Sequence, residues 1–142
     1  AIASGASKKE VNALERFGHH LGMAFQVVDD VLDYAAADKS WGKQRGKDFL
    51  EGKSTLPIIL TYRKAGTADK KRIKELFSKK QRGRKDFEEI LKIIEAHDGL
   101  KDSVSRSYQH VDEAKKELKI FPDNPARKEL MALADYVVKR TI

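Results

Sequence analysis

The sequence predicts an all-α protein, a bundle of about six helices, most of them antiparallel neighbours. Three observations predict it. Apolar residues recur at steps of three and four along most of the chain, helix start and stop residues bracket each run, and no segment shows the alternation of a strand. No internal repeat is present.

The elements follow in order. Ser7-Lys8-Lys9-Glu10 has the S-x-x-E form of a capping box and opens the first helix. Val11, Leu14, Phe17, Leu21, Phe25, Val28 and Leu32 then keep helical spacing, and the helix is expected to end between Tyr34 and Ala37. A Gly-rich basic loop runs to Lys53. Ser54 or Thr55 caps a short helix, "LPIILTYRKA", with Pro57 in its first turn and Gly66 closing it. A third helix covers about 68–80, and "QRGRK" is a loop. Asp86 opens a fourth helix with Phe87, Ile90, Leu91 and Ile94 inward, and Gly99 is its expected C-terminal cap. The fifth, about 100–119, places Val104, Tyr108, Val111 and Leu118 on one face. "FPDNP" is a turn, with Asn124 capping the last helix, Pro125 at its first position, and Leu130, Leu133, Ala134, Val137 and Val138 along it.

The length, 142 residues, fits one domain or a piece of one, residues 1–142. Apolar content of 40% is enough for a core, and no run is long enough to cross a membrane as a helix. The first residues, "AIASGASKKE", lack the layout of a signal peptide, and with no cysteine there is no disulfide framework or thiolate metal site. A cytoplasmic protein is expected. The net charge of +7 admits a nucleic acid, a membrane surface or an anionic small molecule as partner. Much of it lies in "KSWGKQRGKDFLEGK" at 39–53 and "KKRIKELFSKKQRGRK" at 70–85. The second stretch has little aromatic interleaving and reads as a solvated helix face and loop.

The first stretch follows an acidic cluster. "LGMAFQVVDDVLDY" places Asp29, Asp30 and Asp33 near the end of the first helix. With Gln26 at zero on a helical wheel of about 100° per residue, the aspartates fall near −60°, +40° and −20°. Leu21, Phe25, Val28 and Leu32 fall opposite, between roughly 200° and 260°. Like charges this close oppose one another, and the C-terminal half of a helix favours cations. Something positive must compensate. One candidate is Mg²⁺, which takes oxygen ligands and is commonly held by one or two carboxylates plus substrate phosphates. The other is the basic loop with Lys43, Arg45, Lys47 and Lys53. Together they describe a diphosphate site. Taken alone, a D-D-x-x-D cluster is commonly a solvated face paired with lysines. Gln26 in register and the Gly-Lys pairs at 42–43 and 52–53 favour the site. No P-loop pattern is present.

The motif F-Q-x-x-D-D-x-x-D, then G-K, G-x-D and E-G-K-x-T-L-P, resembles the second aspartate-rich region of the trans-polyprenyl diphosphate synthases. The P-D-N-P turn and "ALADYVVKR" resemble the family's C-terminal end, so the resemblance covers essentially the whole chain. It is strongest to the bacterial octaprenyl and decaprenyl enzymes, which make quinone side chains. The resemblance implies the C-terminal portion of the isoprenoid synthase fold. It also implies condensation of isopentenyl diphosphate with an allylic diphosphate, through departure of the allylic diphosphate from Mg²⁺ and basic residues. By position, Asp29, Asp30 and Asp33 would be metal ligands, Asp30 directly or through water. Lys43 and Lys53 would bind the allylic diphosphate. Gln26 would face the developing cation, and Asp48 would orient metal-bound water or Lys43. Gln26, Asp29 and Lys43 would be the catalytic set, and Arg140 would assist isopentenyl diphosphate. The implied partners are these two substrates and, in the full-length enzyme, a second copy in a homodimer.

Family members are longer and carry a second aspartate-rich cluster, which none of the remaining aspartates forms here. The chain is therefore expected to be a C-terminal piece without synthase activity of its own. His19-His20 reads as a partly exposed helix pair and Trp41 as a local packing anchor. Three competing readings remain: a non-catalytic helical partner subunit, a nucleic-acid binder through 70–85, and an Mg²⁺-dependent terpenoid cyclase. The intact Gln26, Asp29, Asp30, Asp33, Lys43 and Lys53 set argues against the first, the sparse aromatics against the second, and E-G-K-x-T-L-P against the third.

Overall fold

α1 (Lys8–Ala35) begins where the capping box predicts. The Glu10 carboxylate accepts from the Ser7 backbone N–H at 2.8 Å and from its hydroxyl at 2.6 Å, while the Glu10 N–H donates to Ser7 Oγ at 3.3 Å. Two otherwise orphaned donors at the helix start are satisfied this way. The structure, a computed structural model, describes residues 2–35 and 45–139. Lys43, Trp41 and Arg140 lie outside the described residues.

Six further α-helices follow among those residues: α2 (Lys47–Leu50), α3 (Leu56–Lys64), α4 (Thr67–Ser78), α5 (Arg84–Ala96), α6 (Gly99–Glu117) and α7 (Pro125–Lys139). Single 3₁₀ turns occupy Ile2–Ser4 and Leu118–Ile120, and no strand occurs among the described residues. The all-α class is as predicted. The chain divides into two compact units. One comprises Ala1–Val28 with Val104–Ile142, the other Asp29–Ser103.

In the first unit, α1, α6 and α7 bury a core of mostly small apolar side chains. Ala13, Phe17, Ala24, Val27 and Val28 on α1, Val111 and Ala114 on α6, Leu118 just after it, and Ala134, Val137 and Val138 on α7 are buried in that unit. The stripe is rotated from the expected one: Phe25 is 43% exposed, and Val27 and Ala24 take its place. α6 departs similarly. Tyr108 is 39% exposed, and Ser107 is fully buried, its hydroxyl donating to its own helix at Val104 O. A serine that bonds back to the backbone packs as a small residue, which hydrophobic periodicity does not count. The final turn forms as predicted, with Asn124 Oδ1 accepting from the Arg127 N–H at 2.9 Å. His19 is exposed and His20 partly buried, as expected, and His20 Nδ1 lies 3.1 Å from His110 Nδ1 on α6.

The second unit has a larger core: Tyr34, Phe49, Ile58, Ile73, Leu76, Phe87, Ile90 and Ile94. Fully burying side chains of this size contributes about 1.5–3 kcal/mol each. Gly99 is not the C-cap of α5. Asp98 takes the positive φ of 58°, and Gly99 opens α6. A Cβ there would lie 2.1 Å from Thr61 Oγ1 and 2.8 Å from Pro57 O, so glycine allows α3 and α6 to touch. The basic run at 70–85 is largely exposed, as expected, with Arg72 and Arg82 partly buried and bonded to other parts of the fold. Arg72 binds Glu89 at 2.5 Å and Glu75 at 2.9 Å, and Arg84 binds Glu88 at 2.9 Å. Arg82 donates to the carbonyls of Phe49, Phe77 and Lys79. No helix among the described residues is long and apolar enough to cross a membrane.

Candidate functional site

The end of α1 carries Gln26, Asp29, Asp30, Asp33 and Tyr34 and has no basic residue in its last turn. The dipole of a 28-residue helix therefore meets carboxylates where it favours cations. The structure answers this in a way the sequence did not indicate. Asp33 Oδ1 accepts from the Lys47 N–H at 3.1 Å and Oδ2 from the Asp48 N–H at 3.0 Å. One carboxylate thus covers the start of α2, a helix within the stretch expected to be a basic loop. Asp30, 9% exposed, accepts from the Leu56 N–H at 3.3 Å, at the start of α3. Thr55 makes no side-chain cap bond there. Its hydroxyl donates instead to Tyr34 Oη at 3.1 Å.

The α1 terminus is met by a cation as well. The Arg45 guanidinium forks onto Tyr34 O, with Nη2 at 2.5 Å and Nε at 3.2 Å, and the Gly46 N–H donates to Asp33 O at 2.9 Å. Two terminal carbonyls, orphaned by the end of the helix, are satisfied. Tyr34 itself is fully buried, stacks on Phe87 with centroids 6.0 Å apart, and has its phenol pushed well above the ordinary value, chiefly by burial.

α2 leads to the lysine. Asp48 Oδ1 accepts from Lys53 Nζ at 2.9 Å, and Glu51 Oε2 accepts from the same ammonium at 2.7 Å. These two carboxylates, Glu51 first, hold Lys53 in its charged form and raise its pKa. Asp33 is half-buried, and burial pushes its carboxyl up. The nearby Asp48 charge adds to that, while the N–H groups of Asp48 and Lys47 and the charge of Lys53 oppose it.

Asp29, Asp30, Asp33, Asp48 and Lys53 therefore belong to the same unit, and Asp33, Asp48 and Lys53 are joined by a continuous chain of hydrogen bonds. The wheel had put all three aspartates on one open face. In the structure Asp30 turns into the protein and Asp29 is partly exposed. Gln26 is exposed on α1. Among the described residues, no three His, Asp or Glu side chains are grouped closely enough to hold a metal ion. Lys43 lies outside those residues. The sequence reading missed Arg45 as the cap of α1, Glu51 as a partner of Lys53, and Tyr34. The Glu-Gly-Lys triplet was the available signal for Glu51.

The chain as a whole has counterparts among known proteins. Residues 1–94 match the sequence model of the polyprenyl synthetase family. Component 2 of heptaprenyl diphosphate synthase from Bacillus subtilis (strain 168) is 35% identical over 140 residues, 99% of this chain and 39% of that protein. The crystal structure of a decaprenyl diphosphate synthase from Rhodobacter capsulatus superposes with a TM-score of 0.89 at 37% identity, covering 99% of this chain and 43% of that one. A polyprenyl synthase from Caulobacter crescentus CB15, complexed with calcium and isoprenyl diphosphate, gives 0.88 at 33% identity, covering 100% and 43%. The chain spans about two fifths of the length of the curated relatives it matches. Residues 1–94 are more than half of the chain, and the chain belongs to the polyprenyl synthetase family.

Proposed function

We propose that this chain carries one half of a prenyl-transfer site, in a cytoplasmic enzyme that condenses isopentenyl diphosphate with an allylic diphosphate. The product is a long-chain polyprenyl diphosphate for quinone side chains. The observation that supports the reading most is the linkage of Asp33 to Lys53 through α2, which joins the acidic and basic parts of the motif in one unit.

In this reading Lys53, with Lys43, binds the leaving diphosphate and balances its growing charge. Asp29 and Asp33, one helical turn apart on α1, and Asp30, directly or through water, are the metal ligands. Asp33 accepts one N–H at each oxygen, and a carboxylate oxygen has lone-pair capacity beyond one bond. Such a sparse donor set suits Mg²⁺ that keeps its waters and arrives with phosphate, rather than a resident ion in a protein cage. Mg²⁺ bound with the diphosphate would supply Lewis-acid neutralisation of the departing oxygens. Gln26, one turn before Asp29 and Asp30, turns its amide oxygen toward the allylic cation. Asp48 orients Lys53. The calcium and isoprenyl diphosphate of the Caulobacter relative support a divalent ion and a diphosphate as ligands. The assembly proposed for the full-length enzyme is a homodimer. The 142-residue chain alone turns over no substrate, since half of the site comes from elsewhere.

The test is calorimetric titration of the purified chain with inorganic pyrophosphate in Mg²⁺. Binding is expected, with loss on chelation of the metal and weakening in Asp29→Asn and Lys53→Gln. Affinity unchanged by both substitutions overturns the site. Turnover of radiolabelled isopentenyl diphosphate by the chain overturns its assignment as half of a site. The similarity to a protein named as component 2 favours a second reading, a helical partner subunit without catalysis. That reading predicts no pyrophosphate binding and tight association with another synthase subunit.

A further inference from the structure

Asp33 does two things at once, and its second role rests on the reading of Lys53 as a diphosphate ligand. Each of its oxygens holds a backbone N–H of α2, at 3.1 Å from Lys47 and 3.0 Å from Asp48. α2 is a single turn, Lys47–Leu50, and its N-cap Gly46 has no side chain to close it. A helix this short has almost no stability of its own, because nucleation fixes several residues for one hydrogen bond. Asp33, fourteen positions back in the chain, supplies the missing cap. The buried Phe49 anchors the other side of the turn.

The turn matters because of what it carries. Asp48 is its second residue. The Asp48 carboxylate accepts from Lys53 Nζ at 2.9 Å, and the Asp48 carbonyl accepts from the Lys53 N–H at 2.8 Å. Lys53 is thus held by side chain and backbone to the same residue whose N–H is held by Asp33. Glu51 also reaches Lys53 Nζ, but from an exposed position at the far end of the turn.

We propose that Asp33 is a positioning residue for Lys53, fixing the single-turn helix whose Asp48 aims the ammonium at the diphosphate. Asp33 thereby links the acidic end of α1 to the basic side of the site mechanically as well as by charge. Its loss moves Lys53 even when no metal or phosphate is present.

A double-mutant cycle on the 142-residue chain tests this, with inorganic pyrophosphate and Mg²⁺ as the probe. Asp33→Ala is expected to weaken pyrophosphate binding about threefold to tenfold more in the wild-type background than when Lys53→Gln is already present, the loss common to both backgrounds being that of a metal ligand. An equal loss in both backgrounds overturns the proposal, since Asp33 then acts independently of Lys53. Two readouts need no ligand. Amide hydrogen exchange at Lys47 and Asp48 is expected to accelerate about tenfold or more in Asp33→Ala. The side-chain ammonium resonance of Lys53 is expected to move the same way in Asp33→Ala as in Asp48→Asn. A Lys53 resonance unmoved by Asp33→Ala overturns the proposal. Asp33→Asn, which keeps one acceptor oxygen, is expected to fall between wild type and alanine and serves if alanine misfolds. Failure of the wild-type chain to bind pyrophosphate overturns the functional reading alone, because exchange and resonance still decide the role of Asp33.

Discussion

Gly46 sits where three requirements meet, and Gly46→Ala separates them. Its φ is 73°, a left-handed conformation that costs an alanine about 1–2 kcal/mol. A Cβ at this position would lie 2.1 Å from Phe87 Cδ2 and 2.3 Å from Cε2, well inside contact distance. The ring cannot retreat cheaply. Phe87 is 6% exposed, stacks on Tyr34 at 6.0 Å, lies 6.4 Å from Phe49, and is covered by the Arg45 guanidinium at 5.9 Å. Overpacking of this kind costs about 1–3 kcal/mol. The sum is about 2–5 kcal/mol, and at roughly 2–4 °C per kcal/mol for a chain of this size Tm should fall by about 4–20 °C. Thermal unfolding by circular dichroism reads the change. Gly18→Ala is the control: it lies inside α1 with nothing within 4 Å of its Cβ, and it should gain about 0.5–1 kcal/mol. Because Gly46 also donates to Asp33 O, pyrophosphate affinity should fall together with Tm. A Gly46→Ala protein as stable as wild type would refute the reasoning, since neither the backbone conformation nor the ring contact would then be as described.

Gly99→Ala places a methyl group against the immobile Pro57 carbonyl and Thr61 Oγ1, and should lower stability by about 1–3 kcal/mol in chemical denaturation. Tyr34→Phe removes the acceptor of the buried Thr55 hydroxyl, and should cost about 1 kcal/mol at neutral pH. The Tyr34 phenol titrates above the usual 10.0, so the folded protein holds its proton more tightly than the unfolded chain. That contribution is complete below pH 10 and is lost as pH rises beyond it, which a comparison of alkaline unfolding in wild type and Tyr34→Phe will read. His110 is shifted the other way, below 6.5, first by burial and then by His20, His19 and Arg106, with Glu113 opposing. Its contribution is present above pH 6.5 and is lost as pH falls below it, so His110→Gln should flatten the acid limb of stability below pH 6.5.

Local rules carried the fold a long way. Ser7 with Glu10, Ser54 or Thr55 before Leu56-Pro57, and Asn124 before Pro125 each mark a helix start that the structure reproduces, although at α3 the side-chain cap comes from Asp30 and not from Thr55. The misreadings share a cause, which is that the deciding partner is remote. α2 was not legible because its cap, Asp33, belongs to another helix. Gly99 read as a C-cap because its packing partner, Pro57, lies on α3. On α1 and α6 the buried stripe was set by small residues, Ala24 and Ser107, that hydrophobic spacing weighs lightly. The site divides the same way. Residue types and spacing put Gln26, Asp29, Asp30, Asp33, Asp48 and Lys53 in one motif, but which carboxylate holds what depends on N–H groups with no sequence signature.

Those N–H groups also say what should happen when metal is withdrawn. An aspartate at a helix C-terminus loses about 0.3–1 kcal/mol to the dipole. A hydrogen bond from a backbone N–H to a charged group returns about 1.5–3 kcal/mol. Asp33 has two such bonds and Asp30 one, and Arg45 meets the α1 carbonyl at Tyr34. The local terms favour the folded arrangement before any divalent ion is counted. The acidic end of α1 is therefore stable without metal, and in the proposed reading a metal would enter with its phosphate rather than as a structural member. Chelation with EDTA should leave Tm within about 1–2 °C, while Mg²⁺ together with pyrophosphate should raise it in a concentration-dependent way. A fall of more than about 5 °C on chelation alone would mean that the ion is holding the carboxylates together, and that the helix starts of α2 and α3 are not what holds them.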